Sequence, residues 1–339
     1  MRISVKVTWI AVAFTILSAL VAMIVGIRGR NSDAKLPPPT AETLLTVTPL
    51  SASTLALVAA LLAGMYVWGA CLLWHQKRRW SVPRTLSFLL GCVLVFLVSS
   101  LGLNRYGDEL LSVLIFQQIT LMTVVPPLLI VGSPGRLLLR STPHHGVGKM
   151  VLRVAHGGLR SRTARLALHP VVAILVAITL YPALYLTDFV STIIVLSPGH
   201  ELLLLVFLGA GIIAGVPLWS SDPLPRAPSY GARFADVIIE IQTHAIFGLI
   251  LISVSTPLFS VFADPPLDWG VDPLRDQAIA GTLTWSYAEL PLFIVLMITL
   301  VRWRNRDNRK ARLRQPREDV ELEQYNQYLA SLDQNSDRP

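Results

Sequence analysis

The sequence predicts an all-α, polytopic transmembrane helix bundle of about eight spans, and three observations lead there. Of the 339 residues, 53% are hydrophobic and only 15% charged, with a mean hydropathy of +0.57, a balance outside that of soluble domains. The apolar residues fall in unbroken blocks of about twenty, which at ~1.5 Å per residue cross a hydrocarbon core of roughly 30 Å. The basic residues gather in alternate loops between those blocks, the pattern that orients membrane proteins. The net charge of +8 therefore reads as membrane orientation, with the lipid bilayer as a partner and no nucleic acid.

Arg2 and Lys6 precede the first apolar run, Val7 to Ile27, which Arg28 and Arg30 close. A cleaved signal peptide would have a shorter core and a small-residue cleavage site, so the run is expected to be a retained helix. Asn31 to Ser53, with Pro37-Pro38-Pro39, reads as an extra-membrane linker. Thr54–Trp74 and Thr85–Leu103 are the second and third spans, with Lys77, Arg78 and Arg79 between them.

The fourth span, Leu110 to Arg136, has the most unusual chemistry. Gln117 and Gln118 lie near its start and Pro126-Pro127 deep inside it. Proline removes a helical N–H and crowds the preceding turn, and in lipid the freed carbonyls must be satisfied by neighbouring helices. The segment is expected to be kinked and enclosed by the bundle.

A basic loop follows, whose middle from Lys149 to Leu159 suits a short surface helix. The remaining spans are Leu166–Thr187, Glu201–Trp219, about Ala235–Phe262 and about Ala278–Val301. His169 before Pro170 is placed to cap or anchor the fifth. The chain thus divides into an N-terminal helix with an external linker (1–53), a bundle (54–303) and a charged tail (304–339), whose last residues, Gln334 to Pro339, are expected to lack structure. The loops after spans two, four and six and the tail hold most of the Lys and Arg, which puts both termini in the cytoplasm.

That orientation sorts the polar residues. Asp188, His200, Glu201, Asp276 and Gln277 fall on the outer side, with Leu114 and Gln118 just within the outer leaflet. Glu240, His244 and Glu289 fall inside the membrane, where an ionisable group costs about 2.5–3.5 kcal/mol and marks a functional candidate. Glu240 and His244 share a helix face at i, i+4, either as a structural pair or as a functional one. Cys71 and Cys92 form no CxxC pair and read as small buried hydrophobes.

PPLLIVGSP at Pro126–Pro134, LHP at Leu168–Pro170, HAIFG at His244–Gly248 and DQAIAGTLTWSYAEL at Asp276–Leu290, which contains Trp285 and Glu289, occur in series. With them the chain, from about Leu61 to Arg314, resembles the CtaG family of cytochrome c oxidase assembly factors. The resemblance implies a seven-helix core, to which the first helix is an addition. It also implies residence in a bacterial plasma membrane, cytochrome c oxidase subunits as partners, and a role in maturing a haem–copper oxidase and its copper centre.

One departure bears on the metal. Where the family carries an HMxQHM-like motif this chain has Leu114 to Ile119, so Leu114 and Gln118 replace both histidines. In the second histidine motif His200 stands but Leu204 occupies the i+4 position. Imidazole suits copper; leucine cannot ligate and an amide is a poor substitute. His200 and Asp276 are left as the metal candidates, and copper is expected to be held weakly or not at all. Two function classes remain: an assembly factor, or a transporter or channel drawing on Glu240, His244 and Glu289. No nucleophile–base pair or phosphate loop points to an enzyme.

Overall fold

The fourth span is the element around which the others pack. In the computed structural model, which describes residues 36–46, 53–161, 166, 169–187, 189–196, 199–219 and 229–336, 72% of its apolar stretch is buried, against 33–44% in the other five long apolar helices. The expected first helix, together with Asp188, lies outside the described residues.

Among the described residues the regular structure is helical throughout. A short helix α1 (Ala41–Leu45) precedes α2 (Thr54–His75), α3 (Val82–Ser100) and a single turn α4 (Leu103–Tyr106). The fourth span is α5 (Leu111–Ile119), a π-helical turn (Thr120–Val124) and α6 (Val125–Val131), followed by α7 (Pro134–Ser141) and the surface helix α8 (Gly146–Arg160). Then come α9 (Pro170–Tyr185), α10 (Phe189–Ile194), α11 (Gly199–Trp219) and α12 (Tyr230–Ser253). The last span opens with α13 (Pro273–Thr282), passes a second π turn (Leu283–Tyr287) and continues as α14 (Ala288–Ser336).

Six of these stretches are long and apolar enough to cross a membrane: Thr54–His75, Val82–Ser100, Leu111–Ser141, Gly199–Trp219, Tyr230–Ser253 and Pro273–Arg312. Among the described residues of the expected fifth span, α9 accounts for 16. Pro170 opens that helix, and His169 Nδ1 accepts from Val171 N–H at 3.2 Å, so the histidine does cap it.

The double proline acts through backbone accounting. Pro126 and Pro127 bring no N–H, so the carbonyls of Met122 and Thr123 lose their ordinary helical donors. The chain adjusts just before them with a wide turn, Val125 N–H closing on Thr120 O. Neighbours do pack the segment. A Cβ on Gly211 would stand 2.2 Å from Met122 O and 2.7 Å from Pro126 Cγ, so α11 lies against the disturbed turn with almost no side chain between. Downstream, the Leu128 carbonyl accepts from Ser87 Oγ at 2.8 Å and the Gly132 carbonyl from Tyr66 Oη at 2.7 Å.

The linker residues pack closely against the bundle. Tyr106 Oη donates to Pro37 O at 2.8 Å and Trp269 Nε1 to Leu36 O at 3.1 Å, while Gly102 N–H reaches Thr46 O at 2.8 Å. Cys92 is buried as expected, but Cys71 is exposed on the outside of α2. In lipid an outward face is apolar too, so hydrophobicity alone does not tell inside from outside.

The chain forms two compact units, Met1–Phe293 and Ile294–Pro339. The second consists of α14 beyond its first turns, and the helix runs on to Ser336, past the point where the tail was expected to lose structure. Its Arg, Leu, Glu and Gln residues are strong helix formers, which offsets the charge.

Candidate functional site

Gln117 and Gln118, adjacent on α5, are both wholly buried, and each belongs to a different polar cluster. Successive helical residues point about 100° apart, so the two amides serve opposite neighbours.

The Gln117 cluster joins α5 to the start of α11. Gln117 Nε2 donates to Val98 O at 2.9 Å, which leaves its oxygen to face His200 Nε2 at 3.0 Å. That ring nitrogen therefore carries the hydrogen. The other, Nδ1, meets Asp108 Oδ1 at 2.8 Å. His200 is buried completely, with both ring nitrogens engaged. Gly107 allows the approach: a Cβ there would stand 2.3 Å from Gln117 Oε1 and 2.7 Å from His200 Cε1.

Asp276, Glu201 and Gln277 are tied down in the same way. Asp276 caps α5, accepting Ser112 N–H at 3.2 Å and the Ser112 hydroxyl. Glu201 accepts Thr54 N–H at 3.1 Å at the start of α2. Gln277 accepts from Leu258 N–H at 2.8 Å and donates to Leu251 O at 3.2 Å. In the loop before α5, burial and then the Asp108 charge raise the Glu109 carboxyl above the usual glutamate range.

The Gln118 cluster faces α9 and α12. Tyr185 donates its hydroxyl to Gln118 Oε1 and stacks on Tyr181 with ring centroids 6.1 Å apart. Tyr181 meets His244 edge to face at 5.3 Å. Glu240, one turn before His244 on α12, is buried with it, as is Asp236 a turn earlier. Here Gln118 Nε2, the Tyr181 hydroxyl and His244 Nδ1 have no protein hydrogen-bond partner.

Of the residues singled out in the sequence, Gln118 and His244 are thus linked through Tyr185 and Tyr181, with Glu240 buried one turn from His244, whereas His200 and Asp276 are each committed to different protein groups. Leu114 and Leu204 are fully buried in the main apolar core. Pro126 is buried and Pro127 half-buried. Trp285 is exposed, although its backbone N lies 3.0 Å from where a Cβ on Gly248 would fall. Glu289 is half-buried at the start of α14. Among the described residues no three His, Cys, Asp or Glu side chains converge as a metal-ligand group.

Two of the motifs quoted from the sequence meet through their glycines. Gly248 of HAIFG and Gly281 of the α13 motif pack backbone to backbone, each carbonyl 2.6 Å from a Cβ built on the other. A family model described as "Cytochrome c oxidase caa3 assembly factor" matches residues 64–306, the stretch that holds these contacts. The chain belongs to the caa3 assembly-factor family. It is a multi-pass membrane protein.

Among curated proteins, it is 30% identical over 304 residues to uncharacterized proteins of Mycobacterium bovis and Mycobacterium tuberculosis, covering 87% of this chain and 46% of each relative. An uncharacterized protein of Mycobacterium leprae is 30% identical over 293 residues, 83% of this chain and 44% of that protein. The chain spans about half the length of the curated relatives it matches. No solved structure matches it.

Asp108, Tyr181 and Tyr185 were not singled out from the sequence, and Gln117 was noted there only beside Gln118, without a role. The tyrosine pair had a signal there: two phenols at i, i+4 in an otherwise aliphatic helix have to find polar partners. Asp108 had none, because its partner lies 92 residues away.

Proposed function

We propose that this caa3 assembly factor binds and stabilises a cytochrome c oxidase intermediate in the plasma membrane, without holding copper tightly and without catalysing a reaction. The carrying observation is the fate of the candidate donors. Leu114 and Leu204 are apolar core, Gln118 accepts from Tyr185, His200 has both ring nitrogens engaged, and Asp276 caps a helix. A tight copper site wants several free imidazole or thiolate ligands with supporting partners. The donors present do not fit a copper ion, and no step of the role passes through one.

Copurification of oxidase subunits with the full chain, and loss of mature oxidase on its deletion, test the reading. Stoichiometric copper in the purified protein that disappears in His200→Ala would restore metal delivery in its place. Failure to retain any oxidase subunit, together with solute flux in proteoliposomes, would favour the transporter reading, for which buried Glu240 and His244 speak.

In this reading the basic loops and both termini face the cytoplasm. Cysteine labelling at Lys149 from the inside and at Ser197 from the outside is expected; the reverse at either position would overturn the orientation.

A further inference from the structure

The assembly role makes no use of the Gln118 cluster, yet the cluster is built in an unusual way. Gln118 and Tyr181 are fully buried and His244 is 1% exposed. Each buries an atom that no protein group satisfies: an amide nitrogen, a hydroxyl and a ring nitrogen. Buried polar atoms are normally paired, and leaving one unpaired costs more than a hydrogen bond to it returns. Three on side chains linked in series, Gln118 to Tyr185 to Tyr181 to His244, point to something else that pairs them.

The surroundings restrict what that is. Phe207 and Phe247 pack on Tyr181 at 5.3 and 4.9 Å, and Phe259 packs on Tyr185 at 5.4 Å, so apolar rings wall the polar atoms and the occupant is small. With Gln118 Oε1 taken by the Tyr185 hydroxyl, the free amide atom can only donate, which repels a metal cation. Gln118, Tyr181 and the buried Glu240 bring no positive charge to hold an anion. The occupant must accept from an amide and also exchange hydrogen bonds with a phenol and an imidazole.

We propose that Gln118, Tyr181 and His244 enclose a binding site for water, a small internal cluster hydrogen-bonded to all three and continuing to the carboxyl group of Glu240. Water has the size, and it both donates and accepts; a buried water makes about three such bonds. The cluster joins α5, α9 and α12 through hydrogen bonds that no pair of side chains supplies directly. It also gives the Glu240 carboxyl proton-exchanging neighbours inside an apolar bundle. This inference does not depend on the assembly role.

X-ray radiolytic labelling of the purified full chain tests it, because hydroxyl radicals formed from bound water modify the side chains beside it even when these are buried. Tyr181 and His244 are expected to be labelled several-fold faster than Tyr66 and Tyr106. Those two tyrosines are similarly buried, but their hydroxyls bond to the carbonyls of Gly132 and Pro37. In Tyr181→Phe the labelling of His244 should fall and the melting temperature should drop, since a water partner is lost. A dry cluster gives the opposite sign, because the substitution then removes an unpaired hydroxyl. Labelling no faster than at the control tyrosines, an unchanged or raised melting temperature, or stoichiometric metal lost in Tyr181→Phe would each overturn the proposal.

Discussion

Gln117 and Gln118 have the same side chain, neighbouring positions and the same complete burial, yet they stand in opposite circumstances. Gln117 uses its amide nitrogen on Val98 and its oxygen on His200, whose other nitrogen closes on Asp108. Gln118 uses only its oxygen, on Tyr185, and its nitrogen lacks a protein partner, like the Tyr181 hydroxyl and His244 Nδ1 nearby. A closed network is enough to explain itself as structure. An open one in the same core implies a further participant. Within this bundle, satisfaction of the polar groups separates the two clusters better than residue type does, since His200, named from the sequence as a metal candidate, sits in the closed network.

The largest expected effect tests that contrast directly. Gln117→Leu strands two buried groups, the His200 Nε2–H and the Val98 carbonyl, and should lower stability by about 2–3 kcal/mol. Gln118→Leu strands only the Tyr185 hydroxyl among protein groups and should cost about 1 kcal/mol. Denaturation of both variants in the same detergent checks the ratio. Equal losses would erase the distinction between the clusters.

A smaller effect is expected at Asp276. Asp276→Ala removes the cap from α5 and should cost about 1 kcal/mol, as helix caps generally do. Asp276→Asn, which can still accept from Ser112 N–H, should recover most of that in the same thermal unfolding measurement. If alanine and asparagine behave alike, the hydrogen bonds to Ser112 are not what Asp276 contributes.

The smallest effect concerns pH. The Glu109 carboxyl is raised by burial and by the Asp108 charge, so the folded chain holds this proton where the unfolded chain has released it. Stability from this group therefore falls as pH rises from the ordinary glutamate value of about 4.3 through the raised one. Glu109→Gln should flatten that part of the stability–pH curve and leave Gln117 and His200 in place. A curve with unchanged slope would mean another group carries it.

Much of the fold was legible because lipid imposes simple demands. Unbroken apolar runs in the sequence fall where the long helices Thr54–His75, Gly199–Trp219 and Tyr230–Ser253 form, and Pro126-Pro127 marked the most enclosed span. The short α9 was less legible, since the apolar run read there, Leu166–Thr187, continues past Tyr185, where the helix ends. The pairings that organise the polar residues were hidden for another reason. Asp276 and Ser112 are 164 residues apart, and Glu201 and Thr54 are 147 apart. No local spacing encodes such contacts; they exist only once the helices have chosen their neighbours. Gln118, Glu240 and His244 could be picked out because polar groups in lipid are conspicuous, but the tyrosines that connect them look like ordinary apolar filling.

The two π turns carry one more consequence. Thr120 Oγ1 and Tyr287 Oη stand 3.2 Å apart and the Phe116 and Tyr287 rings stack at 5.5 Å, so the wide turns of the fourth and last spans touch. A π turn holds one residue more than the α ladder would, and each residue rotates the rest of its helix by about 100°. The wide turn absorbs that extra residue within itself, so Pro126 keeps the face it turns to Gly211 although one more residue precedes it. Had the same residues wound as a regular ladder, everything beyond the extra one would be turned by about 100° and the proline would leave its glycine groove. Such a chain would keep its composition, its hydropathy profile and every motif residue, and would still present the wrong side of its central helix to α11.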